Sequence, residues 1–344
     1  MSGDSLEEKE ITIEIKKPEV WLLVGFLVLV LILELQVTMN TNINFGDEGY
    51  HTRMAQWMAE EKEYPVWTPF EGTKLERFGF ARPPLWNLLE GSFLYVFGFQ
   101  EIIIKFLTPF IVFLMGISVF VLVKKLFNEK VALVASVVAV TIPSLVTYSV
   151  LFYTDILLAF YMGLFFFLFV LALKENSKKY LILSGVFGSL ALLTKIPALA
   201  VYAFVFLAFL YQLIKERKFY NLFKTYLPLV AVMVLIPNGW LIRNYHYYNN
   251  PTCYALPFIN LFDTQGCSIN EFQEKYQFAG RTEETGTEQS VYRIGVINYF
   301  NFAYGTLWFV ALAFFCGLFM LLIKRDSAND FTLISLALLL FIFY

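Results

Sequence analysis

Apolar runs recur at 20–38, 101–123, 131–150, 154–173, 180–194, 197–214, 226–242, 302–323 and 331–344. Each reads as a helix able to cross about 30 Å of hydrocarbon. Lipid offers no partner to a backbone N–H or C=O, so such runs must satisfy those groups internally, as helices do. With 58% hydrophobic and 16% charged residues, a soluble globule is excluded and an all-α polytopic membrane protein is expected. The shorter run near 84–98 opens with a proline pair and reads as an interfacial helix or a re-entrant piece. Lys195-Ile196-Pro197 predicts that 180–214 is two helices joined by a tight turn. The first run follows a polar stretch and has no small-x-small site after it, so it reads as a retained anchor. The chain ends inside an apolar run at Phe341-Ile342-Phe343-Tyr344, which reads as a C-terminal truncation or a piece of a longer membrane protein.

Lysine and arginine in the short connections set the orientation. Lys124, Lys125 and Lys130, then Lys174, Lys178 and Lys179, then Lys215, Arg217, Lys218 and Lys224, and last Lys324 and Arg325, define one side together with Lys16 and Lys17. That side is read as cytoplasmic, with 1–19 as a cytoplasmic N-terminal segment and 20–344 as one transmembrane domain. The outer segments are then 39–100 and 243–301, with short outer turns near 151 and 195.

A net charge of −2 exerts no global pull on nucleic acid. The chain has no Walker-type glycine loop, Gly-x-Gly-x-x-Gly, His-Glu-x-x-His or Gly-x-Ser-x-Gly. An ATP-driven pump, a dinucleotide oxidoreductase and a zincin are therefore disfavoured. No repeat or matched pair of interrupted helices points to a secondary transporter. Of the three cysteines, Cys253 and Cys267 flank a stretch of outer segment; a disulfide there would contribute roughly 3 kcal/mol, and two free thiols are the alternative.

The outer side gathers the candidate chemistry. Asp47 and Glu48 stand just beyond the first apolar run, ahead of Tyr50, Met54, Trp57 and Met58 at helical spacing. This predicts an interfacial helix whose N-terminal dipole favours negative charge, the plain alternative for Asp47 being a helix cap. Glu48 and His51 have the spacing of a Glu-x-x-His metal pair, but His246 has Arg243 in place of the second glutamate, so no histidine metal site is expected. Arg82 precedes Pro83-Pro84-Leu85-Trp86, and its planar fork suits phosphate oxygens or, alternatively, a snorkelling position. Asp155 stands at the mouth of an apolar run, Lys195 follows another, and Glu34 near the end of the first reads as reaching the headgroups. Two carboxylates and several cations facing one outer cavity would suit a reaction on an anionic lipid.

Five motifs in order resemble the GT-C glycosyltransferases of the protein O-mannosyltransferase and aminoarabinose-transferase type. They are Asp47-Glu48, Arg82-Pro83-Pro84-Leu85, Thr154-Asp155, Leu193-Thr194-Lys195-Ile196-Pro197, and Trp240-Leu241-Ile242-Arg243-Asn244 leading to Asn250-Pro251. The resemblance covers about residues 15–255. Gly49 and Tyr50 stand where the family often has a cation, and Ile196 replaces its glycine.

The resemblance implies a GT-C transmembrane bundle with extracytoplasmic interfacial helices. It also implies an inverting transfer of a hexosyl or pentosyl group from a polyprenyl-phosphate sugar, dolichyl or undecaprenyl, to a lipid, glycan or protein acceptor on the outer face of the cell membrane. Asp47 would be the general base, Arg82 would hold the donor phosphate with Lys195 or Arg243 as helpers, and Glu48, His51 and Asp155 would shape the pocket. These residues name no certain cofactor, and carboxylates could hold Mg²⁺ or Mn²⁺ without histidine. A flippase or transporter of a lipid-linked sugar and a non-catalytic subunit of a membrane complex are the competing readings.

Overall fold

The computed structural model describes residues 18–41, 47–64, 82–151, 153–248 and 251; the side chains of Asp47, Ser144, Lys215, Glu216, Tyr247 and Tyr248 lie outside that description. Among the described residues all regular structure is helical. In chain order the helices are α1 (Pro18–Met39), α2 (Asp47–Glu61), α3 (Leu85–Phe97), α4 (Glu101–Leu126), α5 (Glu129–Thr141), α6 (Pro143–Val150), α7 (Asp155–Glu175), α8 (Lys178–Thr194), α9 (Leu199–Glu216) and α10 (Phe219–Tyr248), with a 3-10 turn at Ile196–Ala198. Five described segments are long and apolar enough to cross a membrane: Pro18–Met39, Glu101–Leu126, Asp155–Glu175, Ile196–Ile214 and Phe219–His246. The chain is thus an all-α, multi-pass membrane protein. The runs at 302–323 and 331–344, and Cys253 and Cys267, lie outside the described residues.

Two elements differ from the sequence reading. The run at 131–150 is not one helix: Pro143 has no N–H to give to the preceding turn, so α5 ends at Thr141 and α6 restarts with the proline in its first turn. The other difference is at α10, a single 30-residue helix that starts before the apolar run and carries Pro228 and Pro237 within it. The tight turn at 195–198 is found as expected. Lys195 is extended (φ −159°, ψ 144°) between the end of α8 and the 3-10 turn that leads into α9.

Helices in lipid gain little from apolar burial against one another, so close packing and small residues matter more. The contacts follow that rule. Ser136 of α5 donates to the Gly116 carbonyl of α4 at 2.7 Å. A side chain at Gly116 would meet Leu27 of α1 at 2.6 Å and Val140 of α5 at 3.0 Å. Gly185 of α8 lies against Leu229 of α10, and Ser189 donates to Gly185 O at 2.8 Å and Val232 O at 3.2 Å. Phe165, Phe166 and Phe169 of α7 pack edge-on against Phe204 of α9. Phe169 also meets Tyr226 of α10. Such ring pairs add about 0.5–1.5 kcal/mol each beyond their area.

Helix α4 acts as a ruler for the site. Its last turn is fastened to the last turn of α7: Lys125 pairs with Glu175 at 3.3 Å and Lys174 donates to Leu126 O at 2.6 Å. The two helices therefore run the same way, and the first turn of α7 lies beside the early turns of α4. There Leu107 and Ile111 of α4 share a buried cluster with Trp86 of α3 and with Ile156 and Leu157 of α7. Helix α3 runs against α4, with Leu94 clustered on Ile104. The starts of α3 and α7 are thereby brought to one end of the bundle.

Candidate active site

Helix α2 begins at Asp47, so the acidic pair stands at a helix N-terminus as the sequence predicted. Of the Tyr50, Met54, Trp57 and Met58 stripe, Met54 lies on the face of α2 that the bundle buries. That face consists of Glu48, His51, Met54, Ala55 and Ala59, with Glu48 only 2% exposed. The reason is the partner: α3 offers Gly91, where an added Cβ would lie 3.3 Å from both Ala55 O and Met58 Cβ, and the two helices close over alanine and glycine. Glu48 and His51 are drawn inward by that approach.

The proline pair ends any upstream extension of α3 and leaves Arg82 in the segment before it, three residues from the first helical residue. The Arg82 guanidinium sits over the Tyr50 ring, 5.2 Å from its centre. Tyr50 belongs to the first turn of α2, so this contact carries a cation to the acidic start of that helix. Arg243 of α10 is held in a comparable way, 4.4 Å from the Trp240 ring centre and 5.0 Å from that of Tyr64. Trp240 and Tyr64 meet edge to face at 4.9 Å, and Arg243 donates to Asn244 Oδ1 at 2.9 Å.

Sequence reasoning passed over the residues that join these parts. Asn87, in the first turn of α3 and fully buried, meets His51 Nδ1 with its Oδ1 at 2.6 Å and donates from Nδ2 to Tyr64 Oη at 3.2 Å. His51, Asn87, Tyr64 and Arg243 thus form one run of contacts across α2, α3 and α10. An asparagine after a Trp in an apolar stretch is a visible signal, because a polar side chain there needs partners.

Asp155 and Lys195 form the second group. Lys195 Nζ lies 2.8 Å from Asp155 Oδ1 and 2.7 Å from Oδ2, both side chains being more than a third exposed. Thr154 makes no side-chain cap bond at the start of α7. Asp155 therefore serves Lys195 rather than a helix end. An ammonium has three donors; two contacts to the carboxylate aim it and leave it reachable from the surface.

Two buried carboxyls complete the picture. Glu34 does not reach the headgroups: it is 4% exposed and accepts from Ser149 Oγ of α6 at 2.7 Å, because its face of α1 packs inward. Glu90 of α3, absent from the sequence reading, is 1% exposed. Burial pushes its pKa up to about 8; the Trp86 indole one turn earlier opposes this by proximity without reaching hydrogen-bond geometry. Among the described residues no three His, Cys, Asp or Glu side chains are grouped to hold a metal ion.

A family model for dolichyl-phosphate-mannose-protein mannosyltransferases matches residues 81–241. The matched stretch contains Arg82, Asn87, Asp155, Lys195 and Trp240; Asp47, Glu48, His51, Tyr64 and Arg243 fall outside it. No curated protein matches the chain.

Proposed function

We propose that the chain is a membrane glycosyltransferase of the mannosyltransferase type, a reading supported by the family match over residues 81–241, and that it moves a sugar from a polyprenyl phosphate to an acceptor on the extracytoplasmic side, with inversion. On this reading 20–344 is one transmembrane domain of the cell membrane, and the end holding α2 and α3 is the outer one. The distribution of lysines supports that orientation, since they crowd the opposite end.

Asp47 takes a proton from an acceptor hydroxyl or amine as that group attacks the anomeric carbon. The bond from that carbon to the phosphate oxygen breaks, and its electron pair leaves with the polyprenyl phosphate. Arg82, Arg243 and Lys195 take up the charge that develops on the phosphate, the kind of electrostatic assistance that matters most where water is scarce. Glu48, His51 and Asp155 hold the pocket in shape, Asp155 by aiming Lys195. The supporting observation is that Arg82, through Tyr50, and Arg243, through Tyr64 and Asn87, are both tied to the first turns of the helix that Asp47 opens.

The purified protein, reconstituted with labelled polyprenyl-phosphate mannose and an acceptor, should release free polyprenyl phosphate. Asp47→Asn should lower that release by roughly 10²–10⁴-fold while insertion and thermal stability stay as in wild type. Full turnover in this variant would remove the base assignment, and label that crosses the bilayer unchanged would favour a flippase.

A further inference from the structure

Helices α9 and α10 meet at the lysine-rich end and enclose a groove of about 320 Å³. Phe206 and Phe209 of α9 and Phe223, Leu227, Val230 and Val234 of α10 line it, and none of its described lining residues is charged. Phe206, Leu227, Val230 and Val234 are exposed, so one side of the groove opens away from the bundle. At the far end Tyr202 donates to Met233 O at 2.8 Å and ties the two helices together. From Phe223 to Val234 the groove follows α10 for about 16 Å, roughly half of the hydrocarbon thickness. It therefore spans the leaflet at the lysine-rich end and has the reach of one acyl chain.

The rim of the groove at that end is basic. Lys215, Arg217, Lys218 and Lys224 stand close together in the chain against one acid, Glu216. Lys125 and Lys174 at the same end are committed to neighbouring helices. The Arg217 and Lys218 side chains are exposed and have no hydrogen-bond or ion-pair partner among the described residues. Both directly precede Phe219, whose ring stacks on Phe223 of the groove at 6.0 Å and meets Phe209 at 6.0 Å. The apolar slot and the uncommitted cations are thus about one helical turn apart.

We propose that an anionic phospholipid binds here, with an acyl chain in the groove between α9 and α10 and its phosphate on Arg217 and Lys218. The occupant must be apolar over the depth of one leaflet and negatively charged at the membrane surface, which describes such a lipid and no purely apolar helix. Arginine gives a phosphate two parallel N–H donors, and lysine adds a compact charge on a flexible stem. A phosphatidylcholine headgroup would bring its own cation to a rim that is already positive. Cations beside a membrane attract anionic headgroups in general; the groove adds a fixed place for the chain. The site lies at the opposite end from the proposed chemistry and does not depend on the transfer reading.

The test uses the purified full chain in detergent, with phosphatidylglycerol or phosphatidylcholine of identical acyl chains added and bound lipid counted by native mass spectrometry. One phosphatidylglycerol should be retained per chain, in preference to phosphatidylcholine by about tenfold or more. Arg217→Asn combined with Lys218→Gln should remove that preference; asparagine tolerates the left-handed backbone that Arg217 adopts (φ 54°) at the end of α9. Val230→Trp fills the groove, leaves every cation in place, and should lower phosphatidylglycerol retention by a similar factor. Lys178→Gln combined with Lys179→Gln removes two exposed lysines at the start of α8, at the same end, and should leave the preference unchanged. Equal retention of the two lipids, an equal loss in the Lys178 and Lys179 variant, or unchanged retention in Val230→Trp would each overturn the proposal. So would a site that takes polyprenyl phosphate and rejects phosphatidylglycerol.

Discussion

The two ends of the bundle hold different cations, a crowd of lysines at one and Arg82 and Arg243 at the other. At the lysine-rich end several charges are engaged by neighbouring helices: Lys124 with Glu129 at 3.2 Å, Lys125 with Glu175 and the Tyr180 hydroxyl, Lys174 with the Leu126 carbonyl. These contacts tie α4 to α5, α7 and α8. At the other end the arginines rest on rings, Arg82 on Tyr50 and Arg243 on Tyr64 and Trp240. Stacking engages the flat face of a guanidinium rather than its N–H edge. A cation held by its face is oriented without the stacking consuming its hydrogen-bond donors. Each end also uses the other device, since Lys195 pairs with Asp155 at the arginine end and Lys125 stands 4.4 Å from the Tyr180 ring centre at the lysine end; the difference is that flat guanidinium groups do the stacking beside the start of α2.

Among substitutions that probe this comparison, replacing the ring-held cations should have the largest effect. Arg82→Met or Arg243→Met should lower turnover by about 10²–10³-fold, measured as release of polyprenyl phosphate, with thermal stability little altered. Loss of stability in step with activity would mean that these arginines are fasteners too.

Glu90 tests how far burial at that end has been pushed. Its carboxyl releases its proton near 8 in the folded protein against a usual 4.5. The folded state therefore binds an extra proton between those values, and stability falls as pH rises through that window, by roughly 1.4 kcal/mol per pH unit. Glu90→Gln should flatten that slope and raise Tm at neutral pH, by an amount equivalent to about 3 kcal/mol. A pH profile of Tm identical to wild type would show Glu90 to be ionised and paired.

Gly91→Ala probes the α2–α3 contact more gently. The new methyl must push α2 outward by a few tenths of an ångström, which should lower turnover by about tenfold with a smaller change in Tm. The smallest effect belongs to the opposite end: Lys125→Met should cost about 1 kcal/mol or less and leave turnover within about twofold of wild type.

The helical spans were legible because each is a local demand. A run such as Asp155–Glu175 is apolar nearly throughout and must be helical whatever surrounds it in lipid. The break at Pro143 was missed because the run around it stays apolar on both sides. In the site, Lys195 and Asp155 were both picked out by their placement at helix mouths, and they pair. The inward turn of Glu34 and the burial of Glu90 were not legible, since an acidic residue in an apolar run reads the same whether it faces headgroups or a neighbouring helix.

The sequence alone determined that this chain threads a membrane as helices, that the lysine pattern assigns Asp47, Glu48, Arg82, Asp155, Lys195 and Arg243 to one side, and in what order the motifs occur. Only the tertiary structure decided that α2 turns Glu48 and His51 inward against Gly91 and that Asn87 and Tyr64 connect His51 to Arg243. The first set follows from composition and spacing within a segment, because hydrocarbon forces each span to satisfy its own backbone. The second depends on the rotation and register of one helix against another, which small residues and single hydrogen bonds settle between segments far apart along the chain.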